Sequence, residues 1–285
     1  MKINRISPDK HPYLQIIGNI AKAPEKLHFI GTLPSTRQPS VAIVGTRKPT
    51  AYGKEVTHQL AYELARRGVV IVSGLALGVD GLAHRATLEA SGTTIAVLAN
   101  GLPDIYPATH KSLADDIVTQ GGAIVSEYEP ETQAWPNHFL ERNRIVSGLA
   151  DAIIITEAAG RSGTLNTAMH ALDQGKTVFV VPGNITSPMS AGCNELLKQG
   201  ATPITNFEDV LEVIAPDLLQ PQTSLALGNT PAETAIIKLL QAGVRDGGEL
   251  QRQSGIETSE FSTTLTMMEI TGTIRSLGAN QWTLR

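Results

Sequence analysis

Only one cysteine, Cys193, occurs in the 285 residues, which excludes an internal disulfide and fits a reducing, cytoplasmic environment. Long apolar runs are missing as well. No stretch approaches the roughly 20 residues of a membrane-spanning helix, and the N-terminal MKINRISPDKHPYLQ lacks the apolar core of a signal peptide. The expectation is a cytoplasmic chain with no membrane partner. Basic excess is also absent. The formal net charge is −4, so no global positive field announces nucleic acid, and any anion binding must come from local clustering. Aromatic residues make up only 4%. What remains, 41% hydrophobic and 18% charged residues, is the composition of a globular protein with room for one large domain and a small one.

Residues 1–40 are punctuated by Pro8, Pro12, Pro24, Pro34 and Pro39. They read as a short extension of strands or turns that docks on a main domain. From Val41 onward, apolar runs alternate with amphipathic stretches. The runs are VAIVGT (41–46), VVIVSG (69–74), TTIAVLA (93–99), GAIVSEY (122–128), DAIIITEA (151–158) and TVFVVPG (177–183). Helical patterns lie between them, near 52–67, 79–91, 108–120, 137–149 and 164–174. Continuous rather than alternating apolar strands imply burial on both faces, hence a parallel sheet covered by helices. The spacing predicts a Rossmann-like, doubly wound α/β domain over 41–215, with every strand-to-helix loop on one edge.

Residues 216–230, rich in Pro, Gln and Thr, read as a linker. Beyond it, 231–285 shows three short helical patterns and a glycine-punctuated extended pair, which suggests a winged helix. This tail carries five Lys/Arg against six Asp/Glu. That balance favours an association module over a DNA reader.

Several common chemistries lack their residues. The loop Gly45-Thr46-Arg47-Lys48-Pro49-Thr50 follows a strand and precedes a helix, but it is not Gly-x-Gly-x-x-Gly. The next strand ends in Ser73 and Gly74 with no acid for a ribose, which argues against NAD. No cysteine or second histidine is spaced with His84 for a metal, and Cys193 has no evident base partner. No cofactor and no metal are expected, and binding outranks catalysis.

Local clustering does appear. Residues 41–215 hold twelve Lys/Arg against eighteen Asp/Glu. Yet Arg47, Lys48, Lys54, Arg85, Arg142, Arg144 and Arg161 all fall in or just beyond loops expected on one sheet edge. The stretch Phe139–Ala168 concentrates the signal: a helix with Arg142 and Arg144, a strand, a small polar loop, and a second helix opening at Thr164. Guanidinium forks beside a helix N-terminus form an anion site. Around it, Ser73, Gly74, Gly78, Asp80, His84, Tyr106 and Glu157 form a secondary pocket. The glycines of 73–81 permit a nest of backbone amides, Asp80 is placed to cap its helix, and His84 reads as a pocket or packing residue. Tyr106 stacks or packs. Glu157 could act as a base, but pairing with Arg142 or Arg144 is the simpler role.

These motifs together resemble the DNA-processing protein A family (DprA, also called Smf) across roughly 41–215. The matching segments are IVGTRKPTAYG, VIVSGLALGVDGLAH, TIAVLANGLPDIYP, GAIVSEY, FLERNRIVSGLADAIIITEA, SGTLNTA, VFVVPG and GCNELLKQGA. The resemblance implies a single-stranded DNA-binding protein without catalytic turnover. Such proteins protect incoming strands during natural transformation, load the RecA recombinase, and form homodimers. By motif, the strand contacts fall on Gly45, Arg47, Lys48, Lys54, Phe139, Arg142, Asn143 and Arg144, with Ser162, Gly163 and Thr164 at the helix start. Phe139 or Tyr106 would serve as a base platform. About forty residues stand ahead of Val41, where many members carry a helical sterile-alpha-motif domain. The competing reading is a nucleotide-processing hydrolase of the LOG (lysine-decarboxylase-like) group using the same pocket. That group has a catalytic glutamate close behind its glycine motif, where this sequence has Asn166 and Thr167.

Overall fold

The computed structural model describes residues 2–219, 230–278 and 280–284 and divides into two compact units, Met1–Leu219 and Gln220–Arg285. Most of the stretch read as a linker lies outside the described residues; Pro216–Leu219 is a 3-10 turn at the end of the first unit.

The first unit opens with β1 (Asn4–Ile6), two 3-10 turns and β2 (Leu27–Gly31). Strand and helix then alternate: β3 (Ser40–Val44), α1 (Ala51–Arg66), β4 (Val70–Ser73), α2 (Val79–Glu89), β5 (Thr94–Leu98), α3 (Lys111–Thr119) and β6 (Ala123–Ser126). The second half runs α4 (Pro136–Leu149), β7 (Ala152–Ile155), α5 (Gly163–Asp173), β8 (Thr177–Val180), α6 (Ala191–Lys198), β9 (Thr202–Pro203) and α7 (Glu208–Ile214).

Nine strands form one sheet in the order β1-β2-β6-β5-β4-β3-β7-β8-β9. Pairings from β6 to β9 are parallel, while β1 and β2 add antiparallel at one edge. This is the doubly wound, mostly parallel sheet that the apolar runs imply. Strands β3 to β7 are buried along their whole length. Alternate side chains go to opposite layers, so Ala42 and Val44 of β3 face one core while Val41 and Ile43 face the other. Helices α4, α5 and α6 cover the first face, and α1, α2 and α7 cover the second.

The N-terminal residues belong to this sheet and its first core. Tyr13, Leu14 and Ile17 are fully buried there, and Tyr13 Oη lies 3.0 Å from Ser40 Oγ. Arg37 ties the segment to the β7 side, donating to Leu149 O at 2.9 Å and pairing with Asp151.

One lysine closes the end of α4. Lys176 Nζ donates to the carbonyls of Ser147 (2.7 Å), Gly148 (2.7 Å) and Ala150 (2.5 Å), acceptors that a helix C-terminus leaves without intrahelical partners. Lys176→Met keeps the stem but abandons those carbonyls. It is expected to cost about 2–3 kcal/mol, read as a lower urea midpoint with an unchanged slope.

The second unit consists of α8 (Pro231–Gln241), α9 (Gly247–Ser254), α10 (Thr258–Ile270) and the hairpin β10 (Ile274–Gly278) and β11 (Gln281–Leu284). Thr230, Asp246 and Glu257 cap the three helices. A separate apolar core forms around Ile236, Leu240, Leu250, Phe261 and Met268. Three helices and a hairpin are a winged helix. Its third helix, the one that enters a groove in DNA-reading relatives of this motif, carries no Lys or Arg from Thr258 to Ile270.

Candidate functional site

The strand order reverses between β3 and β7. From β3 the chain moves outward through β4, β5 and β6, then returns to place β7, β8 and β9 on the other side. Loops leaving β3 and β7 therefore diverge, and the crevice between them is where such sheets bind ligands. A cavity of about 540 Å³ opens there. The loop after β3 supplies Gly45, Thr46, Arg47 and Lys48; the loop after β7 supplies Ala159, Arg161 and Ser162; and α5 opens into it with Gly163, Thr164 and Thr167. Helix α4 contributes Phe139, Leu140, Arg142 and Asn143, and Met189 closes the side nearest β8.

Arg47, Lys48 and Arg161 are exposed, and none has a carboxylate partner among the described residues. The Arg47 guanidinium sits 5.5 Å above the Phe139 ring, and Tyr106 packs against Phe139 at 5.4 Å between centroids, tilted by 60°. At the start of α5, Ser162 Oγ accepts from Thr164 N at 3.2 Å, capping the helix. Gly163 has open space where a side chain would project. Asn143 holds this turn in place, with Nδ2 donating to Gly163 O (3.4 Å) and Asn166 Oδ1 (3.2 Å).

The three consecutive residues Arg142, Asn143 and Arg144 do not act together. Successive helical residues point about 100° apart, so one cavity cannot receive all three. Arg142 turns inward beneath the cavity and is 4% exposed. Its Nη1 donates to Gly74 O at 2.5 Å and to Val97 O. Arg144 turns away, pairing with Glu127 at 2.5 Å and donating to Lys22 O at 3.0 Å; it does not line the cavity. Lys54 lies on the exposed first turn of α1, outside the cavity. Arg85 lines a separate groove between α2 and α3. Of the seven cations grouped from the sequence, the fold brings four to one cavity: Arg47, Lys48, Arg142 and Arg161.

The expected pairing of Glu157 with an arginine is corrected. Its carboxylate accepts from Thr50 N (2.8 Å) and Thr50 Oγ1 (2.6 Å), at the N-terminus of α1. Gly53 lies so close that any side chain there would collide with the Glu157 carboxylate. Glu157 thus stitches the β3–α1 loop to the end of β7, where the positive end of α1 favours its charge. Its backbone carbonyl adds to the seam by accepting from Thr46 N at 2.8 Å.

The amide nest expected over 73–81 exists but is already filled. Asp80 Oδ2 accepts from Gly74 N (3.1 Å) and Ala76 N (3.3 Å), so this acid holds the preceding loop rather than capping its own helix. Gly78 occupies the cap position with φ of 80°. Burial pushes the Asp80 carboxyl up, opposed by Arg142 and the two amides. The glycines here serve internal packing. A side chain on Gly74 would meet the Arg142 guanidinium at 2.5 Å, and one on Gly45 would meet Val79 at 2.6 Å. Ser73 is equally structural, donating to Ile43 O at 2.6 Å.

His84 packs in the core. Thr94 Oγ1 gives its proton to Ile71 O (2.7 Å), so His84 Nδ1 must be the donor in its 2.7 Å bond to Thr94 Oγ1. Burial holds the imidazole neutral, lowering its pKa from 6.5 to about 3. Unfolding restores the ordinary value, so the unfolded chain gains a proton below pH 6.5 that the folded chain refuses. The stability tied to neutral His84 is complete above pH 6.5 and is lost as pH falls toward 3, at about 1.4 kcal/mol per unit. His84→Asn retains a donor toward Thr94 and cannot ionise. Urea midpoints compared at pH 7 and pH 5 are expected to show a smaller acid loss in this variant than in the parent.

Thr46, Thr167 and Met189 also line the cavity, and the sequence did not mark them as site residues. Thr167 follows Thr164 by three residues and so shares its helix face, a signal that was available. Met189 reaches the cavity from a distant turn and leaves no such sign.

The family model described as DNA recombination-mediator protein A matches residues 4–215. The chain belongs to that family. A second model, the DprA winged helix domain, matches residues 220–280. The chain is 46% identical over 172 residues to the DNA processing protein DprA of Bacillus subtilis, covering 60% of this chain and 58% of the relative. It is 45% identical over 189 residues to protein Smf of Escherichia coli, covering 66% of this chain and 50% of the relative. The chain thus spans between half and three-fifths of the length of these curated relatives. Among solved structures, DprA of Streptococcus pneumoniae superposes with a TM-score of 0.70 at 37% identity, covering 75% of each chain. DprA of Helicobacter pylori superposes at 0.67 and 35% identity, covering 76% of this chain and 97% of that one, in work on its single-stranded DNA binding mode. Among the described residues no helix is long and apolar enough to cross a membrane.

Proposed function

We propose that the β3/β7 crevice holds single-stranded DNA, phosphates on the cations and bases on the aromatic side, without catalytic turnover. One observation carries this reading. Arg47, Lys48 and Arg161 stand exposed around a cavity with no carboxylate partner among the described residues, while the two nearby acids, Asp80 and Glu157, are engaged by backbone amides and a hydroxyl. The local field is therefore positive within an acidic domain, and it concentrates anions. The aromatic pair beside it suits a ligand with stacked rings rather than an isolated phosphate. The Helicobacter pylori relative, studied for its single-stranded DNA binding, supports the same ligand.

The wider role proposed is the one that the family resemblance implies: protecting incoming single strands and loading the RecA recombinase in the cytoplasm, as a homodimer. A hydrolase would need a free acid at the cavity, and both candidates are committed to holding loops. Release of base from nucleoside monophosphates is expected to be absent.

Fluorescence anisotropy with labelled oligo-dT, duplex DNA and mononucleotides at two salt concentrations tests the ligand. Oligo-dT should bind most tightly and weaken steeply with salt, because each neutralised phosphate releases counterions. Equal binding of duplex and single strands would refute the assignment. Gly163→Val places a branched side chain in the open space at the start of α5. It is expected to weaken oligo-dT binding about 10-fold or more by loss of helix-terminus contacts, with a thermal midpoint close to the parent's. RecA loading is tested by whether the chain accelerates RecA filament formation on strands coated with single-strand-binding protein. Light scattering in solution reads the dimer.

A further inference from the structure

On the far side of the Thr50–Glu157 seam lies a second groove, of about 430 Å³, where the loop after β8 faces the start of α1. It shares no lining residue with the cavity described above, and its chemistry is different. Among the described residues no Lys, Arg or His lines it, so no side-chain cation is present to meet a phosphate. One wall is the ring of Tyr52, 46% exposed. The rest is mainly polar, with the Glu157 carboxylate, the Asn184 amide and the hydroxyls of Ser187 and Ser190.

Several of these groups hold hydrogen-bonding capacity that the folded chain does not use. Ser190 is 4% exposed, yet its hydroxyl has no hydrogen-bond partner among the described residues. A buried hydroxyl without a partner is costly, and a ligand entering the groove would relieve that cost. Asn184 Oδ1 accepts from Thr186 N (3.0 Å) and Thr186 Oγ1 (2.9 Å), which leaves its amide N–H groups to donate. Glu157 accepts one bond at each carboxylate oxygen, both from Thr50, and an ionised carboxylate offers about four acceptor sites. The frame around these groups is rigid. Tyr52 Oη donates to Pro182 O at 2.9 Å. Gly183 N donates to Asn194 Oδ1 at 3.3 Å, and Gly183 O accepts from Asn194 Nδ2 at 3.1 Å. Any side chain on Gly183 would collide with the Ser190 hydroxyl, so the glycine is what lets Ser190 sit there. A groove preformed in this way loses little freedom when a ligand enters.

We propose that this groove binds a neutral ribonucleoside. The base stacks on Tyr52, the vicinal hydroxyls of the ribose donate to Glu157, and Ser190 and Asn184 donate to the remaining polar edge. An aromatic face suits a flat ring, and a carboxylate is the group that holds a ribose hydroxyl in dinucleotide sites. The lack of a cation disfavours a phosphate on the ligand. A volume of about 430 Å³ falls in the range of small-molecule sites. The groove is separate from the cavity assigned to single-stranded DNA, and the proposal does not depend on that assignment.

The test is calorimetric titration of the full chain with adenosine, 2′-deoxyadenosine, ribose and adenosine monophosphate, with and without oligo-dT. Adenosine should bind, and 2′-deoxyadenosine about three- to ten-fold more weakly for the loss of one hydrogen bond. Ribose should bind roughly ten-fold or more weakly for the loss of the stack, and the monophosphate no more tightly than adenosine. Oligo-dT should leave the affinity for adenosine unchanged. Ser190→Ala removes a hydroxyl that bonds nothing among the described residues of the free chain. It should weaken adenosine binding about three- to ten-fold while keeping the thermal midpoint at or above the parent's. Tyr52→Ala should weaken it roughly ten-fold or more, and Tyr52→Phe should restore it. Absence of adenosine binding, or parent-like binding by either Ser190→Ala or Tyr52→Ala, would overturn the proposal. So would tighter binding of the monophosphate or displacement of adenosine by oligo-dT, since both would move the nucleoside into the cationic cavity. Failure of oligo-dT to bind would overturn the DNA reading alone.

Discussion

Arg142→Met is expected to unfold the α/β domain more easily by about 3–5 kcal/mol, a drop of roughly 10 °C in thermal midpoint for a domain of this size. The reason lies in the buried set beneath the cavity. Arg142 donates to Gly74 O and Val97 O, at the ends of β4 and β5, and Asp80 grips the amides of Gly74 and Ala76. Both charged side chains are under a tenth exposed. Each favours the other's charged form against burial. Methionine fills similar volume but leaves the Asp80 carboxylate without its cation and two carbonyls without a donor, and such a half-removed buried pair is costly. Urea denaturation at pH 7 reads the loss. If stability were unchanged and only DNA affinity fell, Arg142 would be a ligand contact and not part of the floor. Any weaker DNA binding by this variant must therefore be judged after correcting for its folded fraction.

Arg47→Ala combined with Arg161→Ala should do the reverse, sparing the fold and removing the ligand. Both side chains are exposed and carry no ion pair among the described residues, so stability should move by no more than about 0.5 kcal/mol. Oligo-dT affinity at about 50 mM salt should fall roughly 10- to 100-fold. The slope of log K against log salt should shrink by about 1.4, at about 0.7 for each phosphate contact on a single strand. Anisotropy titrations across a salt series measure both quantities at once. A double variant that keeps the parent's slope would show that the strand runs elsewhere on the molecule.

These contrasting expectations for Arg142 and Arg47 mark where sequence reading stops. The strand and helix runs were legible because burial on both faces writes continuous Val and Ile into each parallel strand, as in AIII of β7 and SVAIV of β3. Part of the cavity's lining was legible, since Arg47, Lys48, Arg142 and Arg161 fall on the sheet edge that the sequence places them on; the reversal of strand order that sets the loops after β3 and β7 side by side was not. Individual roles were less legible. RNR at 142–144 reads as a basic cluster, but helical rotation sends its two arginines to different surroundings. Glu157 sits next to arginines in the motif but, in the fold, next to the N-terminus of α1, because β3 and β7 are neighbours in the sheet. The glycines of 73–81 suggest an open nest, which Asp80 fills.

By itself the sequence determined the parallel α/β architecture, the winged-helix pattern, the family and the sheet edge on which the cavity opens. Each of these depends on local periodicity or on ordered motifs, which survive projection onto one dimension. Only the tertiary structure decided which charges remain free for a ligand. A cation's availability depends on the carbonyls and carboxylates that fold against it from distant segments: Gly74 and Val97 for Arg142, Glu127 for Arg144, and none among the described residues for Arg47.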